Sequence, residues 1–199
     1  TRVCACAYNR EKADAYIERF LRSFDTGEET SALLYTFCRD GLVFLPTLSD
    51  IAEKTYIISG NEPLSSIMLS AIAAHARATE KSFTFVPDPI RPGFPKALWF
   101  GLSRVYIGVC DKRCDSATEN AKQINANRFA NAGIIRENRG YVRRLDALRT
   151  SAENAAAEQM KAASDAHSEL ERIYLAATDF SVIEKMLDSV KCDIFANKM

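Results

Sequence analysis

The chain has 199 residues, 47% of them hydrophobic, which suits one globular domain with an appendage and excludes a disordered polar segment. Its 26 Lys+Arg balance 26 Asp+Glu, so no net charge draws it to nucleic acid, and no basic run does so locally. The longest apolar stretches are strand-sized, which argues against a membrane-spanning helix.

Along the chain, Tyr16, Ile17, Phe20, Leu21 and Phe24 recur at spacings of three and four and predict a helix over 11–24. Ser31–Phe37 and Leu42–Leu48 read as two strands around the turn Arg39-Asp40-Gly41. Thr55–Ser59 is a short continuous apolar run, as a buried parallel strand requires. A helix follows with Pro63 in its first turn and Ile67, Met68, Ala71, Ile72 and His75 on one face. Ser82–Val86 is a further strand. The segment 87–95 holds four of the six prolines and must be irregular. Leu98–Phe100 has extended character, and Arg104–Cys110 is a third core strand ending at Asp111. This alternation predicts an α/β fold with a parallel sheet.

Beyond Cys114 the character changes. Ser116 to Ala177 contains no proline and much alanine, with Ser116 and Glu119 forming a capping-box start. Gly133 and Gly140 mark the expected turn of a helical hairpin. Its first arm carries Ala121, Ile124, Phe129, Ala132 and Ile135. The second carries a seam of Tyr141, Leu145, Leu148, Ala152, Ala155, Gln159, Ala163, Ala166, Leu170 and Ile173. Thr178-Asp179-Phe180 breaks the pattern. A last helix opens at Ser181 with Glu184, and Val182, Ile183, Met186, Leu187, Val190 and Ile194 are expected to face inward. The expected organisation is therefore an α/β domain of residues 1–115 and 178–199, with 116–177 as an antiparallel helical hairpin arm. That arm is the expected route to a homodimer or a protein partner; no nucleic acid or membrane partner is expected.

The turn after Thr55–Ser59 has the context of a Walker A loop, G-x-x-x-x-G-K-[ST] between strand and helix. Gly60 fills its first position. Ser65 stands at the second glycine, Ser66 at the lysine and Ile67 at the magnesium ligand. The candidate nucleotide-binding set is thus Gly60, Asn61, Ser65, Ser66 and Ile67, with Asp111 as the candidate Walker B acid. Losing the lysine forfeits on the order of 4 kcal/mol of charge pairing at an intermediate dielectric. Glu62 adds a negative charge, and the helix N-terminus retains about 1 kcal/mol of attraction. ATP with Mg2+ is the pair an intact loop would take; here weak binding or none is expected, with no catalytic or metal-ligating residue assigned.

The runs TYIISGNEPLSSIMLSAIAAHA, SFTFV, RVYIGVCD and HSELERIYLAATDF resemble an uncharacterised bacterial family, the P-loop ATPase-like proteins of Firmicutes, over roughly residues 39–195. Members have two tandem P-loop units, an intact G-x-P-G-T-G-K-S loop after Y-I-I-x-G, and an arm ending H-x-E-L-E-x-x-Y-x-x-A-x-D-F. His167, Glu169, Leu170, Glu171, Tyr174, Ala177, Asp179 and Phe180 match that ending. The resemblance implies a three-layer P-loop NTPase-like scaffold, and the departure at residues 65–67 implies an inactive one with a regulatory or assembly role. The competing expectation is an active ATPase or nucleotide kinase in which Lys112, Arg113 or Arg128 replaces the missing charge.

Other groups carry less chemistry. His75 reads as a packed or capping histidine, and His167 with Glu171 as a surface pair at i,i+4. Cys110 and Cys114 with Asp111 and Asp115 fall short of a four-ligand zinc set. Trp99, Phe100 and Phe94 read as packing beneath the proline-rich segment. The six cysteines, Cys4, Cys6, Cys38, Cys110, Cys114 and Cys192, are scattered through a chain rich in core residues, so free thiols in a reducing cytoplasm are expected.

Overall fold

The computed structural model describes residues 2–109 and 121–196. Among these, helices α1(Arg2–Ala7) and α2(Arg10–Leu21) lead into a six-stranded sheet. Its strands in spatial order are β1(Glu29–Ser31), β5(Phe83–Pro87), β6(Pro95–Phe100), β7(Val105–Val109), β4(Lys54–Ser59) and β8(Lys122–Asn125). β1 runs parallel to β5, and β4 parallel to both β7 and β8. β6 is antiparallel to each neighbour, so the sheet is mostly parallel with one reversed strand, not all-parallel as the alternation implied. The reason is local: β5, β6 and β7 follow one another through short turns, and a short turn can only reverse the chain.

Helix α4(Glu62–Ala78) carries the burial that organises one face. Leu64, Met68, Leu69, Ile72, Ala73 and Ala76 form its inner stripe and pack on β6, β7 and β4. Each large apolar side chain buried there contributes roughly 1.5–3 kcal/mol. Ile67 and Ala71 lie at the rim, one step round from the expected face. Helix α2 packs on α4; its N-cap Asn9 accepts from the Lys12 amide, and Ile17 and Leu21 point inward. Phe20 stands edge-on to Tyr56 at 5.0 Å, and Phe24 lies 4.6 Å from Phe100.

The opposite face is covered by a β-hairpin, β2(Tyr35–Cys38) and β3(Gly41–Phe44), as the Arg39-Asp40-Gly41 turn suggested. Gly41 sits at φ +85, which a side chain would strain. Tyr35 stacks on Phe44, and its hydroxyl lies 3.2 Å from that of Tyr106. Val86, Ala97 and Trp99 complete this second core. Ser31–Phe37 is not one strand: Glu29–Ser31 joins the main sheet, while Tyr35 begins the hairpin. Leu42–Leu48 likewise ends early, at Phe44, and Thr47–Asp50 forms the short helix α3.

The expected arm is corrected. Residues 122–125 form edge strand β8, Ala126–Phe129 a 3-10 turn, and Ala132–Glu137 the short helix α5. Ile124 and Phe129 enter the α2–α4 core instead of lining a helical arm, so the sheet domain extends past residue 115. A single helix, α6(Arg139–Ala177), follows; Gly140 lies in its first turn and not in a hairpin bend. Helix α6 crosses the β2–β3 hairpin, where Arg39 reaches Ser164 Oγ at 3.5 Å and Asp165 at 3.7 Å. Helix α7(Ser181–Ala196) begins where expected. Its Val182, Ile183, Met186, Leu187 and Val190 are exposed, contrary to the inward orientation expected of them.

The two kinds of apolar residue should separate on truncation. Ile72→Ala is expected to cost about 2–5 kcal/mol in urea unfolding, against under about 0.5 kcal/mol for exposed Leu33→Ala. Equal costs would contradict the assigned core.

Candidate functional site

Ligands of open α/β sheets gather beyond the carboxyl ends of parallel strands. Here those ends are Ser31, Ser59, Pro87, Val109 and Asn125 of β1, β4, β5, β7 and β8. Only Gly60 and Asn61 separate β4 from α4. Gly60 adopts φ +123, and a Cβ there would lie 3.1 Å from the Asn127 side chain. That combination of backbone and space requires glycine.

The turn is closed by the protein's own groups. The Asn61 amide donates to Asn127 Oδ1 at 3.1 Å, and Asn127 is itself set by its amide donating to Asn125 Oδ1 at 3.0 Å. The Cys4 thiol lies 3.7 Å from Asn61 Oδ1. Burial pushes that thiol's pKa up, the N-terminus opposes it and Glu62 reinforces it, so Cys4 is a protonated, packed thiol.

Ser65 and Ser66 fall inside α4. The Ser65 amide donates to the Asn61 carbonyl at 3.0 Å, and its hydroxyl donates to the same oxygen at 3.3 Å. The Ser66 hydroxyl donates to Glu62 Oε1 at 3.3 Å. Ile67 packs at the edge of the core. A Walker loop presents free amides on a glycine-rich arc. Here the Ser65 amide is spent on the helix itself. Asp111, Lys112, Arg113, Cys110, Cys114 and Asp115 lie outside the described residues.

Charge at the strand ends is paired. Arg91 Nη2 lies 3.3 Å from both Glu62 Oε1 and Asp88 Oδ2, and its guanidinium sits 5.6 Å over the Phe94 ring. Asp88 is only 8% exposed and accepts the Ile90 and Arg91 amides. Arg149 of α6 joins this field. Burial opposes its charge, but the hydrogen bond it donates to Asp146 and the charges of Glu62, Glu153 and Asp146 prevail and raise its pKa. Glu62, Asp88 and Arg91 form an ion cluster at the sheet end, and Arg149 pairs with Asp146 and Glu153 of its own helix within reach of the Glu62 charge. Sequence reasoning missed Arg91, Asn127 and Cys4 because each meets the turn or its Glu62 from a distant segment. The Asn125-Ala-Asn127 repeat of short amides, typical of local capping, was the one available signal.

The remaining candidates lie apart. His75 Nε2 is 3.1 Å from Asp14 Oδ1 in a half-exposed pair between α4 and α2. His167 and Glu171 form the expected exposed pair at 3.3 Å. The Arg128 carbonyl accepts from Lys12 Nζ at 2.9 Å. Trp99 and Phe100 are buried on opposite faces of β6, and Phe94 lies beneath Arg91. Among the described residues no group of three or more His, Cys, Asp or Glu could hold a metal ion. No described helix is long and apolar enough to cross a membrane.

At the opposite end of the sheet a shallow depression is lined by Thr26, Glu29, Arg77 and Lys81. Arg77 makes a two-pronged bond to Glu29, at 2.7 and 2.6 Å, and lies over Phe85. That hydrogen bond, against a smaller penalty of burial, holds the Glu29 carboxyl below its usual 4.5.

Comparison with protein-family models, with curated proteins and with solved structures gives no match for this chain.

Two outcomes check the local geometry. Gly60→Ala should cost about 1–3 kcal/mol in urea unfolding. Combined with Asn127→Ala it should cost less than the sum, because the added methyl then meets open space while the backbone strain persists. Strict additivity would refute the contact. For Glu29, a carboxylate with a lower pKa folded than unfolded adds stability above the unfolded value and loses it as pH falls through the folded one. The stability advantage over Glu29→Gln should therefore stay level at neutral pH and shrink below pH 4.5. An advantage unchanged down to pH 3 would remove the pairing.

Proposed function

We propose that this chain is a P-loop-like α/β scaffold that does not hydrolyse nucleotide and acts as a regulatory or assembly component through its helical extension. One observation carries the reading: the Asn127 side chain occupies the Asn61 amide at the strand-to-helix turn, where a phosphate oxygen would need to sit. A polyphosphate would have to displace that amide and approach Glu62. Arg91, a cation at the described sheet end, is already shared between Glu62 and Asp88. The helix N-terminus offers about 1 kcal/mol in compensation, too little against those losses.

Two further features support a role in assembly. Leu148, Leu170, Ile173 and Tyr174 of α6 are exposed, as is the apolar stripe of α7. Short isolated helices are marginal in water, so an amphipathic 16-residue helix with its apolar side uncovered fits a docking element.

Calorimetric titration with ATP, with and without Mg2+, tests the reading. No heat beyond dilution is expected at micromolar nucleotide. Magnesium-dependent binding in the micromolar range would overturn it.

A further inference from the structure

Helix α6 has an internal symmetry that its exposure makes usable. Its seam is a palindrome about Gln159. Ala155 and Ala163 stand four residues either side of that centre, and Ala152 and Ala166 seven residues either side. Leu148 and Leu170 come next, then Leu145 and Ile173. Large apolar groups therefore sit at equal distances from the centre, with small ones between. These positions are all exposed. The contacts with the body use another side of the helix, through Glu153, Ala157 and Ser164, which are less exposed.

Charge follows the same reversal. On the N-terminal side of Gln159, Arg139, Arg143, Arg144 and Arg149 outweigh Asp146, Glu153 and Glu158. Beyond Gln159, Asp165, Glu169 and Glu171 outweigh Lys161 and Arg172. Position matters more than the total: Arg149 and Glu169 stand equally far from Gln159, as do Asp146 and Arg172, while the like-charged Glu153 and Asp165 are each held by an arginine of their own chain. A parallel partner of the same sequence would set like charges together. An antiparallel one sets unlike charges together and brings every seam position onto its equivalent in size.

We propose that the α6 seam binds α6 of a second copy of this chain, antiparallel, with the two-fold axis at Gln159. Such an interface is isologous: Leu148 of each copy meets Leu170 of the other. At 1.5 Å per residue the seam runs about 50 Å. Gln159 meets its own counterpart on the axis, where each amide can donate to and accept from the other and so favour this register over a slipped one. The inference deepens the reading of the extension as an assembly element and rests on it.

Light scattering on the full chain at high-micromolar concentration tests the association, and cysteine cross-linking tests its direction. The expected mass is that of two chains, falling to one in Leu148→Glu/Leu170→Glu with an unchanged circular dichroism spectrum. Under mild oxidation, Gln159→Cys should cross-link to itself. Leu148→Cys should not, but should cross-link when mixed with Leu170→Cys, each above the background of the unsubstituted chain. A single-chain mass for the wild type, a dimer untouched by the glutamates, or self-linkage of Leu148→Cys would overturn the proposal. Any of these would leave the nucleotide titration unaffected, so failure here is distinguishable from failure of the scaffold reading.

Discussion

The apolar stripe of α4 has to lie flat on the sheet, and much of the surrounding geometry follows from that requirement. β4 delivers the chain to the end of the sheet, and α4 must turn back at once for Leu64 to reach the core. Two residues make that turn, and one of them takes a backbone conformation open to glycine and few others. A turn this tight spends the Asn61 amide on Asn127 and the Ser65 amide on the helix itself. Ser65 and Ser66, which a longer loop could have held toward a ligand, become ordinary helix residues bonded to their own first turn. Burial on one side of the helix thus decides the chemistry at its beginning.

What was legible in the sequence was what depends on near neighbours. Ile17 and Leu21, or Met68 and Ile72, announce their helices because the core is reached every three or four residues. β4, β5 and β7 were visible as compact apolar runs. β8 was not: Lys122, Gln123 and Asn125 are exposed, only Ile124 is buried, and the segment is a strand because it pairs with β4. The same Ile124 and Phe129 fit a helical period by accident of spacing, which is why a hairpin arm was expected there. The direction of β6 is set by turn length and not by composition. At the candidate site, Gly60 to Ile67 could be read in order. Their partners arrive from Cys4, Arg91 and Asn127, and no periodicity links those positions.

The ion cluster at the sheet end lies close to the long helix, whose main described contacts with the body are made to the β2–β3 hairpin. Glu62 and Asp88 share Arg91, which leaves one negative charge, and Arg149 of the long helix lies within that field. The Arg39 contacts fix α6 against the hairpin at Ser164 and Asp165, and Glu153, Ala157 and Ser164 are its less exposed positions on that stretch. The described side chains beyond Asp165 are exposed. A helix held along one part and free along another is suited to present a surface, and polar ties are suited to hold it because they fix direction without consuming its apolar residues.

The reversed strand has a consequence for how the chain comes together. β5, β6 and β7 are consecutive and paired in sequence order, so they form a meander whose turns close over a few residues. The other pairings bring Glu29 to Phe83, Lys54 to Val105 and Tyr56 to Lys122, and each must close a long loop. Loop entropy rises with length, so the meander is the part of the sheet with the smallest ordering cost. It can template β1 on one side and β4 on the other, which makes the antiparallel exception the natural seed for an otherwise parallel sheet.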